Sequence, residues 1–414
     1  MKFLILSLRK NILPIFFILI TICLVLFSRS NLTAATNGLT LWATCVVPSL
    51  FPFFVITNLL SHTKVVSFTG KLLDKLMRPL FNVPGIGGFA FVMGLISGYP
   101  VGAKIVSDFR EKKLVTKDEG ERLLAFTNNS GPLFILSSVG ISLFGDTKTG
   151  LLLLCTHILA CITVGILLGK FSKKSDEAFR EQMILRKSMH SSNVASQSEP
   201  SSTVTFRNLG EVLGNSINSS IFTILLIGGF VVIFSVIISI LNQTHLLDYG
   251  AKLFTPLLSL LGFDSTFAKP LLSGILELTN GVNLVASVPM KAISQNVVLC
   301  AFLLGFGGFS VLLQVFSIVA KTDLSIKKYV IGKFLQGIFA ALYTFLALKW
   351  IPFLNLDYVA SSATVAQNSI NVLTNNTSSM LTSFFYDFGI FVIGVLGVLV
   401  IFYAFRKLYH KVLN

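Results

Sequence analysis

The stretch GIGGFAFVMGLISGYPVGAKIVS, residues 85–107, decides how this chain can fold. It is apolar enough to enter a bilayer, but residues 97–100, SGYP, interrupt it in the middle. Glycine and proline break a helix, and Gly102 adds a second weak point just beyond the first. Two full crossings need roughly 40 residues, which this segment lacks, so the pattern predicts a re-entrant hairpin. A proline kink in an ordinary span is the alternative.

A second stretch, TFAKPLLSGILELTNGVNLVASVPM at residues 266–290, has the same character. Its break falls at Thr279, Asn280 and Gly281, and Glu277 stands just before it. Backbone that is not helical is tolerated at membrane depth only where protein or a water-filled cavity satisfies its polar groups. Two such breaks in one chain therefore predict two hairpins around a central polar cavity.

The composition requires lipid as the solvent. Of 414 residues, 53% are hydrophobic and only 12% are charged, which is too few polar side chains to coat a water-soluble surface. The formal net charge is +15, but the basic residues stand in short loops between apolar runs, as positive-inside loops do, and form no nucleic-acid-binding face. We therefore expect an all-α polytopic membrane protein that contacts the lipid bilayer and no nucleic acid.

Apolar runs long enough to cross a bilayer predict about eight transmembrane helices. They lie near residues 11–27, 38–60, 123–145, 151–169, 216–241, 297–320, 329–350 and 384–405. Lysine and arginine concentrate at the N-terminus, in 61–84, in the linker after residue 169 and in the C-terminal tail, whereas 351–383 has neither. Since basic loops stay in the cytoplasm, both termini are predicted to be cytoplasmic.

These assignments divide the chain into two halves with the same order of span, hairpin, span and span. Residues 38–169 are the first repeat and residues 216–350 the second, in opposite orientation, as in inverted-repeat transporters. An offset of 180 residues pairs Gly94 with Gly274, among a few other identities. Four segments lie outside the repeat: an N-terminal anchor helix 1–37, a polar cytoplasmic linker 170–215, an outer loop 351–383, and a C-terminal helix with a basic tail 384–414.

Three polar clusters fall where apolar side chains would be expected, and together they are the candidate substrate-binding site. Their members are Ser97, Gly98, Tyr99 and Gly102 in the first hairpin, Asn128, Asn129, Ser130 and Gly131 at the start of the next apolar stretch, and Glu277, Thr279, Asn280 and Gly281 in the second hairpin. Free N–H groups at the start of a half-helix favour anions, and amide side chains can donate to a carboxylate. An ordinary helix N-cap is the alternative for the second cluster.

Glu277 is the strongest single candidate. An ionisable residue inside a membrane segment costs several kcal/mol unless it is paired or hydrated, so it points to function. It could hold a coupling cation, shuttle a proton or bind a substrate donor, whereas a structural ion pair with Lys269 or Lys104 is the alternative. Three further polar residues in spans are more typical of helix packing, namely Gln314, Gln336 and His157.

No catalytic or metal-binding pattern is present in the sequence. It contains no Gly-x-Ser-x-Gly, no Walker loop and no His-Glu-x-x-His, so we expect no enzyme and no ATP-driven pump. The five cysteines stand in apolar runs without a Cys-x-x-Cys pair, which predicts small buried hydrophobic residues and no metal site. No cofactor is expected, and the choice of H⁺ or Na⁺ as a coupling ion stays open.

Three strings carry a family resemblance: GLISGYPVGAKIVSDF (94–109), ERLLAFTNNSGPLF (121–134) and SGILELTNGV (273–282). They resemble the YlbJ (SpoVV) family of sporulation integral membrane proteins, within the nucleoside-recognition Gate-domain group, over about residues 38–350. Gate-domain proteins are similar to concentrative nucleoside transporters, in which two hairpins and two broken helices surround the substrate. For this family the resemblance implies movement of dipicolinic acid across the outer forespore membrane, towards the developing spore.

The residues are compatible with a small aromatic dicarboxylate. Hydroxyls, amides and helix N-termini suit carboxylates, and Tyr99 could stack on the ring. Glu277 fits less well, because facing a dianion it would need a proton or a cation. A nucleoside-like or other small metabolite therefore remains an alternative substrate. A non-transporting membrane scaffold in spore assembly is a further alternative, and association of copies into a homo-oligomer stays open.

Overall fold

The computed structural model describes residues 2–170, 208–289 and 294–350, and every regular element in these ranges is helical. All three ranges belong to one compact unit. The all-α class is thereby confirmed for the described part of the chain. The predicted outer loop 351–383, the C-terminal helix and tail 384–414, and most of the linker 170–215 lie outside the described residues.

The described chain forms fifteen α-helices and three short segments of other helix type. The α-helices are α1 Lys2–Leu26, α2 Ser28–Leu41, α3 Val47–Ser61, α4 Val65–Phe81, α5 Gly87–Ser97, α6 Val101–Glu111, α7 Lys117–Thr127, α8 Thr147–Lys170, α9 Leu209–Gln243, α10 Leu246–Leu260, α11 Ala268–Leu276, α12 Leu278–Ala286, α13 Ser294–Phe306, α14 Gly308–Val319 and α15 Lys327–Trp350. Trp42–Val46 and Phe134–Leu143 are π-helical, and Ser265–Phe267 is a 3₁₀ turn.

Four stretches of the described chain are long and apolar enough to cross a membrane. They are α8, α9, α13 together with α14, and α15, and a bent pair formed by α1 and α2 would make a fifth. The number of about eight spans therefore stays a prediction. The bent pair also differs from the single anchor helix predicted over 1–37, because the chain turns by 98° around Phe27.

Helices α4 and α10 are amphipathic, and α4 lies where a loop was expected. The segment 61–84 was predicted as a basic loop, but residues Val65–Phe81 are helical. Helix α4 buries Met77 and Phe81 and leaves Phe68 66% exposed, while α10 leaves Leu253 82% exposed. A helix with lysines on one side and exposed large apolar side chains on the other is suited to the surface layer of a bilayer.

The two interrupted segments fold back on themselves. Gly94 in α5 and Gly102 in α6 both abut the backbone of Thr127, and a Cβ on Gly94 would lie 3.2 Å from the Cα of Gly102. In the second segment, Gly274 and Gly281 touch so closely that no Cβ fits between them. Residues seven or eight positions apart in a straight helix are about 10–12 Å from each other. Both segments are thus hairpins and not kinked spans.

Each half also contains a broken helix, and both breaks correct a predicted continuous span. Helix α7 ends at Thr127, inside the predicted span 123–145, and the chain resumes as the π-helical segment Phe134–Leu143. Helices α13 and α14 divide the predicted span 297–320 at Gly307, whose φ of +87° is in the left-handed region that favours glycine. Both halves therefore share the order hairpin, broken helix, long helix. Their inverted orientation stays a prediction.

Charged side chains join the two halves at one end of the helices. Arg110, in the last turn of α6, donates to both carboxylate oxygens of Asp323 at 2.8 and 2.9 Å. Lys328 at the start of α15 pairs with Asp118, and it lies 3.4 Å from Glu121. These pairs connect the turn between α6 and α7 to the turn between α14 and α15.

Candidate functional site

The tip of the first hairpin contacts three other elements. Ser97 shares a buried hydrogen bond of 2.8 Å with Thr57 of α3. Gly98 has a φ of +81°, and a Cβ there would lie 2.8 Å from the backbone nitrogen of Gly131, so the tip and the first broken helix meet backbone to backbone. Tyr99 points its hydroxyl at the second half of the chain, where it donates to the carbonyl of Leu304 at 3.0 Å.

The break after α7 separates the second cluster into two groups. Ser130 donates to the Leu304 carbonyl at 3.3 Å, on the same side as Tyr99. Asn128 and Asn129 instead are fully buried between α7 and α15, where Asn128 donates to the hydroxyl of Tyr329 at 2.8 Å. The two amides therefore connect α7 to α15, through Tyr329 and Gln336, and their role toward a substrate stays a prediction.

Glu277 forms the tip of the second hairpin and caps the helix that follows. Its carboxylate accepts hydrogen bonds from the backbone N–H groups of Thr279 at 3.1 Å and Asn280 at 2.7 Å. These are orphan donors in the first turn of α12, and the partial positive charge of a helix N-terminus further stabilises a carboxylate there. Glu277 is 2% exposed, so the hairpin tip is buried.

The ion pair considered for Glu277 is not formed with either expected lysine. Lys269 pairs with Asp248 at 2.7 Å, and Lys104 donates to Ser219 at 2.5 Å. Helix capping replaces the ion pair as the local explanation of Glu277.

The break at Gly307 was missed, and it completes the site. A straight helix would pair the Leu304 carbonyl with the N–H of Gly308, but the break interrupts that ladder and the carbonyl accepts from Tyr99 and Ser130 instead. A Cβ on Gly307 would lie 3.0 Å from the Tyr99 hydroxyl, so only glycine leaves room for it. The run of glycines at 305, 307 and 308 was the available signal.

Side chains from both halves line one cavity of about 60 Å³. Five predicted site residues are in its lining, namely Tyr99, Ser130, Gly131, Glu277 and Thr279. The other seven are not in its lining: Ser97, Gly98, Gly102, Asn128, Asn129, Asn280 and Gly281. These seven shape the hairpins and breaks. Asn280, for example, donates to Ser235 of α9 at 3.0 Å. Gln314, predicted as a packing residue, adds an amide to the lining.

Behind Tyr99 lies a buried polar network that the sequence reasoning missed. Lys333 of α15 is completely buried, and its Nζ donates to the carbonyl of Asn128 at 3.0 Å and to the Gln336 side chain at 2.8 Å. The same Nζ is 5.1 Å from the centre of the Tyr99 ring. Lys333 lies inside the predicted span 329–350, where any ionisable residue is a functional candidate, but it was not singled out from the sequence.

With this geometry described, comparison with known proteins identifies the family. The Gate family, described as nucleoside recognition, matches residues 43–174 and 224–322. The chain belongs to the Gate family. A relative, the sporulation integral membrane protein YlbJ of Bacillus subtilis (strain 168), is 35% identical over 342 residues, which are 81% of this chain and 82% of that protein. The resemblance inferred from the three strings is confirmed.

A solved structure of CNTnw in an inward-facing substrate-bound state is similar to this Gate-family chain. It covers 79% of this chain and 85% of that one, with 12% sequence identity and a TM-score of 0.44. By the family match and the YlbJ relative, the chain is a membrane protein of the Gate family that is related to a sporulation protein.

Proposed function

We propose that this protein carries a small metabolite across a membrane by alternating access, with dipicolinic acid across the outer forespore membrane as the favoured substrate and setting. One observation carries the proposal: the same cavity is lined by Tyr99 and Ser130 from the first half and by Glu277 and Thr279 from the second half. Transporters built from two repeats bind their substrate at this kind of junction, between hairpin tips and broken helices.

The chemistry of the lining suits a small aromatic ring with carboxylates. Ser130 and Thr279 supply hydroxyls, Gln314 supplies an amide and Tyr99 supplies a ring face. The negative charge of Glu277 would oppose a dianion. That opposition is reduced, because the carboxylate already accepts two backbone N–H groups at the start of α12.

The small volume of the cavity supports a contracted state of the site. About 60 Å³ holds a few water molecules, whereas sites that enclose a small molecule typically measure about 300–1,000 Å³. Substrate entry therefore requires the hairpin tips to separate from the broken helices. The hydrogen bonds that must be released include those from Tyr99 and Ser130 to the Leu304 carbonyl.

A nucleoside-like substrate is the second candidate, and two observations favour it. The Gate family is described as nucleoside recognition, and a buried carboxylate such as Glu277 can accept hydrogen bonds from the hydroxyls of a sugar. A neutral substrate would also avoid the charge opposition described above. The two candidates differ in charge, so competition between them separates the two proposals.

The name of the relative supports the setting. YlbJ is a sporulation integral membrane protein and shares most of its length with this chain. We place the protein in a membrane of sporulating cells on that basis. A scaffold role in spore assembly would need the same membrane but no cavity chemistry.

Uptake of labelled dipicolinic acid into proteoliposomes tests the proposal. We expect saturable uptake by the intact protein, with a loss of about tenfold or more in Glu277→Gln and Tyr99→Ala at equal incorporation. Thr255→Ala is the matched control, because Thr255 bonds only its own helix, at Ala251. Uptake of a labelled nucleoside that dipicolinic acid does not inhibit would favour the second candidate. No uptake of either compound by folded protein would contradict the transporter proposal.

A further inference from the structure

Lys333 is an unusual lysine because it is completely buried without an acidic partner. No carboxylate lies within 4 Å of its Nζ in the described part of the chain. The titratable side chains around it are Tyr99 from the first hairpin, His157 and Cys161 from α8, and Tyr329 from its own helix. None of the four carries a negative charge at neutral pH in its ordinary state. A buried ammonium without a counter-charge costs several kcal/mol, so its retention needs a reason.

The groups that accept from Lys333 resemble the ligands of a metal cation. The Asn128 carbonyl follows the C-terminal end of α7, where backbone oxygens have no helical partner and carry the negative end of the helix dipole. The Gln336 side-chain oxygen is the second acceptor, and the Tyr99 ring faces the same ammonium. In transporters with broken helices, unwound carbonyls and half-helix C-termini are where a coupling Na⁺ or H⁺ is held.

We infer that the ammonium group of Lys333 is the resident cation of the transport site, which makes transport independent of Na⁺ and linked to protons. The inference rests on the proposed function and specifies its coupling ion. A covalently attached ammonium fills the oxygen-lined position that a dissociable Na⁺ would need. Lys333 can lose its positive charge only by giving up a proton, and so the charge of the site changes by proton transfer.

The cycle requires one proton per turnover. Lys333 takes the proton from water on the entry side as the anionic substrate binds, because each charge lowers the cost of burying the other. It returns the proton to water on the exit side as the substrate leaves, and the neutral amine keeps its hydrogen bonds to Asn128 and Gln336. The Tyr99 ring faces the Lys333 ammonium on one side and lines the cavity. The positive charge of Lys333 therefore acts on the substrate across this ring.

Melting temperatures test the inference without any transport assay. The intact protein, Lys333→Met and Lys349→Met are compared in sodium chloride and in choline chloride at equal ionic strength. Lys349 is the control, because it is an exposed lysine at the other end of the same helix. We expect Na⁺ to leave the melting temperatures of the intact protein and Lys349→Met unchanged. Na⁺ should raise the melting temperature of Lys333→Met, because the Asn128 carbonyl and the Gln336 side-chain oxygen have lost the ammonium group there. Stabilisation of the intact protein by Na⁺ would overturn the inference.

Uptake of labelled dipicolinic acid in proteoliposomes is the second test. We expect a pH gradient to stimulate uptake by the intact protein, and a Na⁺ gradient to have no effect. Coupling between two ligands is typically worth a factor of about 5–150, so Lys333→Met and Lys333→Arg should each lose about tenfold of the stimulation. Arginine keeps the charge but cannot release the proton. Retained pH stimulation in both folded variants, or a Na⁺ requirement in the intact protein, would contradict the inference.

A failure of the proposed function and a failure of the inference about Lys333 give different results. If the intact protein takes up no substrate under any gradient, the proposed function fails, and the melting temperatures still decide whether Lys333 occupies a cation position. If uptake occurs but follows Na⁺, the proposed function stands and the role of Lys333 is wrong.

Discussion

The hydroxyl of Tyr99 donates to the carbonyl of Leu304 across 3.0 Å, although the two residues are 205 positions apart. Ser130 donates to the same oxygen at 3.3 Å. The carbonyl is available because α13 breaks at Gly307. The tip of the first hairpin and both broken helices therefore meet at one oxygen atom beside the cavity.

Removing the Tyr99 hydroxyl should weaken this junction. Tyr99→Phe leaves the ring in place but the Leu304 carbonyl with one donor fewer, which typically costs about 1 kcal/mol. The melting temperature of the purified protein measures the loss. Tyr249→Phe is the control, because Tyr249 is 63% exposed. Equal effects of the two substitutions would show that the Tyr99 hydrogen bond contributes nothing.

Glu277→Ala should destabilise the second hairpin. Two buried N–H groups at the start of α12 lose their acceptor, at a cost of about 1–3 kcal/mol. Glu277→Gln keeps an acceptor oxygen and should lose less stability. Thermal denaturation ranks the variants, with Glu111→Ala as an exposed control at the end of α6. A stable Glu277→Ala protein would argue against capping.

Gly281→Ala should open the same hairpin by steric overlap. The new methyl group would overlap the backbone of Gly274, and overpacking of this kind typically costs about 1–3 kcal/mol. Gly229→Ala is the matched control, since a Cβ there meets nothing within 4 Å and alanine favours the helix. Unfolding midpoints of the two variants should move in opposite directions. A shift of both in the same direction would contradict the close contact.

The Arg110–Asp323 pair predicts a pH effect outside the membrane. Hydrogen bonds from Arg110 hold the pKa of Asp323 below its usual range. The stabilisation is therefore present above the unfolded pKa of about 3.9 and is lost as the pH falls through the lower folded value. Because Asp323 is half exposed, the effect is below about 1 kcal/mol.

The corresponding measurement compares the intact protein with Asp323→Asn. The difference in their melting temperatures should be constant from about pH 5 to 8 and shrink below about pH 4. A difference that grows on acidification would mean that another group titrates. High salt should reduce the difference as well, since the pair is at the surface.

The hairpins were predictable because their signal is local. Helix breakers inside an apolar run, at residues 97–100 and 279–281, leave few folds that satisfy the backbone in lipid. The second break lies at Glu277, however, two residues before the predicted position, because its carboxylate caps a helix that already includes Thr279, Asn280 and Gly281. Which polar side chains face the cavity was not predictable, because that depends on contacts between the two halves. Asn128 bonds Tyr329, which is 201 positions away, and no local pattern distinguishes that arrangement from one that faces a substrate.

Two features were missed for different reasons. Gly307 lies in a run of apolar residues whose hydropathy conceals the break, and its positive φ appears only in the folded chain. Lys333 follows Lys327 and Lys328 closely in the sequence and was not singled out from them, although it is completely buried. For Lys333, the rule that intramembrane charges are functional would have been sufficient.

Binding of dipicolinic acid to the purified protein, measured by titration calorimetry, tests most directly the claim that both halves build one substrate site. Ser130→Ala changes the first half, and Thr279→Ala changes the second. The account predicts saturable binding to the intact protein that each substitution weakens about fivefold, as the loss of one hydrogen bond would. Binding that either variant leaves unchanged, or no binding by the intact protein, would contradict it.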